Sequence, residues 1–125
     1  MRKLIAGDSS YEEAWGYSRA VVDGEWVFVS GTTGFDYATM AISDDPAEQT
    51  RQCFRTISQY LAQAGCSLTD IVRIRYYVRD AKDWPSIGKI CGEVLHHVRP
   101  AATAIVCELV DPRMRIEIEA TARRV

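Results

Sequence analysis

The stretch DPAEQTRQCFRTISQYLAQAG (45–65), followed shortly by IVRIRYYV (71–78), decides the architecture of this chain. Asp45 stands where a helix N-cap is expected. Pro46 suits the first helical position, where a backbone N–H would have no partner, and Glu48 completes a capping-box spacing. Apolar side chains then recur at Cys53, Phe54, Ile57, Tyr60, Leu61 and Ala64, in steps of three and four that share one side of a helix. Gly65 supplies the stop. In the next run the period drops to two. Val72, Ile74, Tyr76 and Val78 face one way; Arg73, Arg75, Tyr77 and then Arg79 face the other. A striped helix running into an alternating strand is a helix laid on a sheet.

Working downstream, a second helix starts near Asp83 with Pro85 in its first turn, and Ile87, Ile90, Cys91, Val94, Leu95 and Val98 form its stripe. Two strands follow, over 103–110 and 114–123, with Asp111-Pro112-Arg113 turning between them. Upstream, the first third reads as strand. Residues 19–23 run into a hairpin turn at Asp23-Gly24, and 26–30 return, closed by Ser30-Gly31-Thr32-Thr33-Gly34. Residues 37–42 are a short strand or a loop. The sum is an α+β fold, a single domain over 1–125, with one mixed sheet and two helices on one of its faces. The other face would carry Arg73, Arg75, Tyr77, Arg115, Glu117 and Glu119. Such a face is either solvated or buried against another subunit, and alternating charges and aromatics favour the subunit contact.

Bulk properties exclude several classes. A chain of 125 residues, 47% hydrophobic, can bury a core without staples. Its 15 basic residues are offset by 17 acidic ones, for a net charge of −2, and no basic run suits nucleic acid. No stretch nears the roughly 18 apolar residues of a membrane span, and the N-terminus has no signal-peptide core, so a cytoplasmic location is expected. Cys53, Cys66, Cys91 and Cys107 make no C-x-x-C pair, and His96 and His97, adjacent on a helix, diverge too far to chelate one ion. No metal site and four reduced thiols are expected.

Several runs then coincide in order and spacing: Ser18-Arg19-Ala20-Val21, WVFVSGTTG (26–34), AGCSLTDIV (64–72), Arg99-Pro100-Ala101, and Ile116-Glu117-Ile118-Glu119-Ala120. Together they resemble the RidA (YjgF, or endoribonuclease L-PSP-like) family over about residues 15–124. The resemblance implies a chorismate-mutase-like fold, a homotrimer whose sheets form a central barrel, and a ligand cleft at each subunit interface. It implies hydrolysis of reactive enamines and imines, such as 2-aminoacrylate, to a keto acid and ammonia, without metal or organic cofactor. Carried over position by position, Tyr17 matches a cleft tyrosine, Ser30 and Gly31 a cleft-lining strand end, and Glu117 the glutamate of the terminal strand. A glutamate in an enclosed cleft can orient or deprotonate water.

The chain departs from the family at one telling place. Active deaminases carry Pro-Ala-Arg-Ser/Thr, whose arginine grips the substrate carboxylate, whereas here the run is Pro100-Ala101-Ala102-Thr103. Removing one partner of such a charge-assisted fork costs roughly 2–5 kcal/mol. Lys89 stands at about the place of the family's cleft asparagine, and Ala104 replaces a cysteine whose role Cys107 does not inherit. Arg19, Arg99 and Lys89 are candidate substitute cations. Arg19 shares a face with Tyr17 on an extended chain, although a surface or interface ion pair accounts for it as readily, and Arg99 reads as a solvated loop residue. Glu119 reads as structural. Trp15 is a possible cleft wall, Trp26 and Trp84 read as packing, and Cys53 and Cys91 as small buried hydrophobes. Two functions stay open: an imine or enamine deaminase with altered substrate, and a non-catalytic trimeric module holding a small metabolite. Chorismate mutase itself would need several converging cations.

Overall fold

A computed structural model describes residues 2–7 and 9–124. Among them, eight strands and three α-helices follow in the order β1 (Arg2–Ile5), α1 (Tyr11–Trp15), β2 (Ala20–Asp23), β3 (Trp26–Thr33), β4 (Phe35–Asp36), β5 (Ala41–Ile42), α2 (Pro46–Gln63), β6 (Ile71–Val78), α3 (Trp84–Leu95), β7 (Ala101–Val106) and β8 (Ile116–Arg123). Six strands form one mixed sheet in the order β1-β2-β3-β8-β6-β7. Every pairing is antiparallel except β6 with β7, which run parallel because α3 carries the chain back between them. The small β4–β5 ribbon stands apart. Among the described residues no helix is long and apolar enough to cross a membrane.

The helices cover one face, as the stripes require. Cys53, Phe54, Ile57 and Leu61 of α2 and Ile87, Cys91 and Leu95 of α3 pack on Val27, Val29, Ile74, Ile118 and Ala120 of the sheet. Asp45 caps α2 by accepting a hydrogen bond from the Ala47 N–H at 3.2 Å. Glu48 does not close the expected capping box. Its carboxylate turns to Arg55 at 2.6 Å and Arg51 at 3.5 Å instead, where two cations one and two turns on offer more than one backbone N–H. Gly65 sits at φ +77°, the left-handed conformation that ends the helix.

Other expectations are corrected. The first third is not all strand: residues 11–15 form α1, and residues 2–5 add an edge strand paired with β2. Val72 is exposed and Ile71 buried, because the β6–β8 register shifts between Ile71 and Arg73. The 103–110 strand begins earlier and ends earlier, at 101–106. Beyond Cys107, whose N–H still donates to the Val78 carbonyl at 2.9 Å, the chain turns away to satisfy Arg79. That guanidinium donates to the carbonyls of Leu109 (2.9 Å), Asp111 (2.9 Å) and Met114 (2.7 Å) and shapes a loop. Arg115 is not on the open face; it makes a bidentate pair with Asp83 at the start of α3, both contacts 2.9 Å. The face itself carries Trp26, Phe28, Arg73, Arg75, Tyr77, Glu117 and Glu119, with Arg75 and Tyr77 both engaging Glu119.

Candidate functional site

The site begins with a defect in the sheet. Val29 pairs with Ala120 and Thr32 with Ile118, so Ser30 and Gly31 together oppose Glu119 alone. This bulge points both carbonyls toward the same group: the Arg19 guanidinium Nη2 donates to the Ser30 oxygen at 3.2 Å and the Gly31 oxygen at 2.7 Å. The same nitrogen reaches Thr32 Oγ1 at 3.1 Å. The Ser30 hydroxyl in turn donates to the Ser18 carbonyl, which holds the approach to β2.

Arg19 is therefore neither a surface residue nor a free cation. It is 2% exposed, and its guanidinium lies 5.3–5.8 Å from the ring centres of Tyr17, Tyr37 and Tyr60. The Tyr37 hydroxyl accepts from the Thr33 N–H at 3.0 Å and contacts the Thr33 hydroxyl at 2.9 Å, and burial pushes its pKa up.

Beside the bulge, Glu117 projects from β8 opposite Thr33. Its carboxylate lies directly over Gly31, where a methyl group would come within 2.0 Å of Oε2. Only glycine leaves that space. Among the described residues no hydrogen bond or ion pair engages this carboxylate. Burial raises its pKa above the usual value of 4.5; the Arg19 charge opposes that rise and Glu119 adds to it. Glu119, by contrast, is tied to Arg75 and Tyr77 and is structural.

These groups share a cleft of about 230 Å³. Tyr17, Arg19, Gly31 and Glu117 all line it, whereas Ser30 stands behind the bulge and is not part of the lining. Tyr11 and Trp15 form a second wall, their rings stacked at 4.5 Å and 9°, with Trp15 65% exposed. Phe35, Tyr37 and Met40 close a third side, and the 110–114 loop a fourth. Two groups hold that loop: Arg79 from one side, and Gln49 from the other. Gln49 donates to the carbonyls of Ser43 (2.7 Å) and Arg113 (2.9 Å) and accepts from the Arg115 N–H at 2.9 Å. Asp111 binds Arg113 through both carboxylate oxygens, which holds its carboxyl down at about 2.

Lys89, Ala102 and Thr103 do not reach this cleft within one chain. Lys89 is exposed on α3, and Ala102 and Thr103 are exposed on β7, at the far edge of the sheet. Ala102 lines a separate trough with Tyr76, Cys91, Leu95, His96 and Arg99. Arg99 takes φ +57°, a departure from the extended conformation expected before Pro100. Sequence reasoning missed Tyr11, Tyr37, Asp111, Arg113 and Gln49. Tyr11 and Trp15 at i, i+4 were a legible helical pair; Asp111 and Arg113 pair within their own turn, and Tyr37 and Gln49 are brought in by the fold with no local signature. All four cysteines are free, and burial raises the thiols of Cys53 and Cys91, the latter to about 11. Among the described residues no three His, Cys, Asp or Glu side chains are placed to hold a metal ion.

Known proteins share this fold. The model of the family described as endoribonuclease L-PSP matches residues 8–124. An uncharacterized protein of Streptomyces coelicolor is 32% identical over 125 residues, covering 99% of this chain and 92% of that one. A RutC family protein of Pyrococcus horikoshii is 29% identical, covering 98% of each. Among solved structures, Rv2704 of Mycobacterium tuberculosis, a member of the YjgF/YER057c/UK114 family, superposes with a TM-score of 0.89 at 38% identity, covering 98% of this chain and 99% of that one.

Proposed function

Since this chain belongs to the endoribonuclease L-PSP (YjgF/RidA) family, we propose that it is an imine or enamine deaminase with a substrate preference of its own. The observation that carries the reading is the unpaired Glu117 carboxylate held over the Gly31 bulge in an aromatic cleft. Water attacks the imine carbon while Glu117 takes its proton. The resulting carbinolamine receives that proton on nitrogen, the C–N bond breaks, and a carbonyl compound and ammonia leave. Tyr17 and Trp15 supply the apolar wall that shields the intermediate from bulk water.

A homotrimer fits this reading. Every residue of β7, including Ile105 at 44% and Val106 at 58% exposure, is uncovered in the single chain. An edge strand of Ala, Thr, Ile and Val is an open pairing and packing surface, and a second copy covering it would bring the Ala102–Thr103 stretch to a subunit boundary. Sedimentation at three times 14.1 kDa is expected, with Ile105→Glu shifting the mass toward the monomer. A monomeric wild type would remove the interface from the proposal.

A second reading is favoured by one residue. Ala102 offers a methyl group where an arginine would grip a carboxylate, so the cleft could hold a small metabolite without turning it over. Hydrolysis of RNA draws less support, because the net charge is −2 and a phosphate backbone is bound chiefly through unpaired cations. The deciding experiment generates 2-aminoacrylate and related imino acids in situ and compares the wild type with Glu117→Ala and Ala102→Arg. Wild-type acceleration that Glu117→Ala abolishes supports the deaminase. An inert wild type with an active Ala102→Arg variant leaves the cleft competent and excludes carboxylate-bearing imines as its substrates. If both are inert, the binding module is the better account.

A further inference from the structure

Among the described residues of one chain the cleft has two cations on its walls, and both are already paired. Arg19 commits its Nη2 to two carbonyls and a hydroxyl and lies buried among three tyrosine rings. Arg113 is exposed but paired: Asp111 accepts from its Nε at 3.1 Å and its Nη2 at 2.8 Å, and its guanidinium lies 5.0 Å from the Phe35 ring centre. The acidic side of the cleft is open, because Glu117 has no partner among the described residues. The remaining lining is aromatic and thioether surface: the stacked Tyr11 and Trp15, Tyr17, and Met40 and Met114.

Aromatic faces and an unpaired carboxylate attract a cation, and they repel a second carboxylate. A 2-imino acid carries both a protonated nitrogen and a carboxylate, and this cleft has a place for only the first. Resting on the deaminase reading, we propose that the preferred substrate is a carboxylate-free iminium ion with an aryl or alkyl substituent, the class formed when a primary amine is oxidised. The iminium nitrogen lies toward Glu117 and the substituent against Tyr11, Trp15 and Tyr17. The balance is R–CH=NH2+ plus water giving R–CHO plus NH4+. The new C–O bond forms as the C=N π electrons move to nitrogen, the proton travels from water through Glu117 to nitrogen, and the C–N bond then breaks.

A matched pair of substrates tests this. One imine is generated in situ from phenethylamine by an amine oxidase, the other from phenylalanine by an amino-acid oxidase; they differ only in the carboxylate. Hydrolysis is followed in competition with semicarbazide trapping, using the full chain. The carboxylate-free imine is expected to show a kcat/KM at least about thirtyfold higher, since a carboxylate enters the cleft without a free cation to meet it. Equal rates, or faster hydrolysis of the imino acid, would overturn the proposal while leaving the deaminase reading intact. Acceleration of neither would overturn both. A second variant probes the cause. Asp111→Asn releases the Arg113 guanidinium at nearly constant shape, and it is expected to narrow the preference several-fold by improving the imino acid. An unchanged ratio would overturn the role given to that ion pair.

Discussion

The Glu117 carboxylate rests on the Cα of Gly31, so closely that a methyl group there would lie 2.0 Å from Oε2 and 2.9 Å from Cδ. The bulge that holds Gly31 thus does two things at once: its carbonyls bind Arg19, and its bare Cα makes room for Glu117, an acid with no partner among the described residues. Gly31 has no positive φ, so alanine would not strain the backbone. Only the flexible end of Glu117 has to move. Gly31→Ala is expected to lower deaminase activity at least about tenfold by misplacing the base while shifting the melting temperature little. Full activity in the Gly31→Ala variant would show that the Glu117 position does not matter.

The raised pKa of Glu117 makes two signed claims about pH. For activity, the base must be ionised, so the acid limb of the kcat/KM profile lies above the ordinary 4.5. For stability, a carboxyl whose pKa is higher folded than unfolded favours folding in the protonated state. That contribution is fully present below the unfolded value and is lost as pH rises through the folded one. Glu117→Gln should therefore match the wild type near pH 4 and become the more stable protein near pH 8. Denaturant midpoints at the two pH values check this. A wild type that gains on the variant as pH rises would contradict it.

Arg19 is a structural cation. Replacing it with methionine leaves the Gly31 carbonyl and the Thr32 hydroxyl without their guanidinium donor and the Ser30 carbonyl with the Thr32 hydroxyl alone, a loss of about 3 kcal/mol. Lysine should recover little, because an ammonium lacks the planar guanidinium that lies against three tyrosine rings while it donates to the bulge. Urea titration of both variants tests the assignment. A higher KM at unchanged stability would make Arg19 a ligand clamp instead.

Gln49 is the remote support of the cleft. It is fully buried and joins Ser43, Arg113 and Arg115 through its amide. Gln49→Leu orphans three backbone groups, and a destabilisation of about 2–4 kcal/mol is expected, together with a raised KM because the 110–114 wall loosens. Wild-type kinetics in a destabilised Gln49→Leu protein would separate the loop from substrate binding.

The readable part of this fold was local. The α2 stripe over Cys53 to Ala64 and the α3 stripe from Ile87 to Leu95 follow from a period of 3.6, and both are buried where that period puts them. The alternation of β8 is equally plain: Ile116, Ile118, Ala120 and Ala122 point inward and are buried. Where two local signals competed, the sequence misled. Glu48 had the capping-box spacing, yet Arg55 and Arg51 draw its carboxylate away from the backbone. Val72 had the right parity, yet a register shift turned it outward.

The site divides along the same line. Tyr17, Gly31 and Glu117 could be named from motif positions, because β3 and β8 are adjacent antiparallel strands and their residues meet by register. Arg19 could be named but not understood, since nothing in a linear pattern says that one guanidinium will serve two carbonyls of a bulge. Asp111 and Arg113 pair two residues apart, yet nothing in that short run places them on the cleft; Gln49 could not be named at all, because its partners Arg113 and Arg115 lie 64 and 66 positions along the chain. The sequence by itself determined the two long helices with their buried stripes, the alternation of β8 and the family, because these rest on periodicity and spacing along one chain. Only the tertiary structure decided which charges in the cleft are paired and which are free, because a charge is neutralised by whatever folding brings within a few ångströms of it.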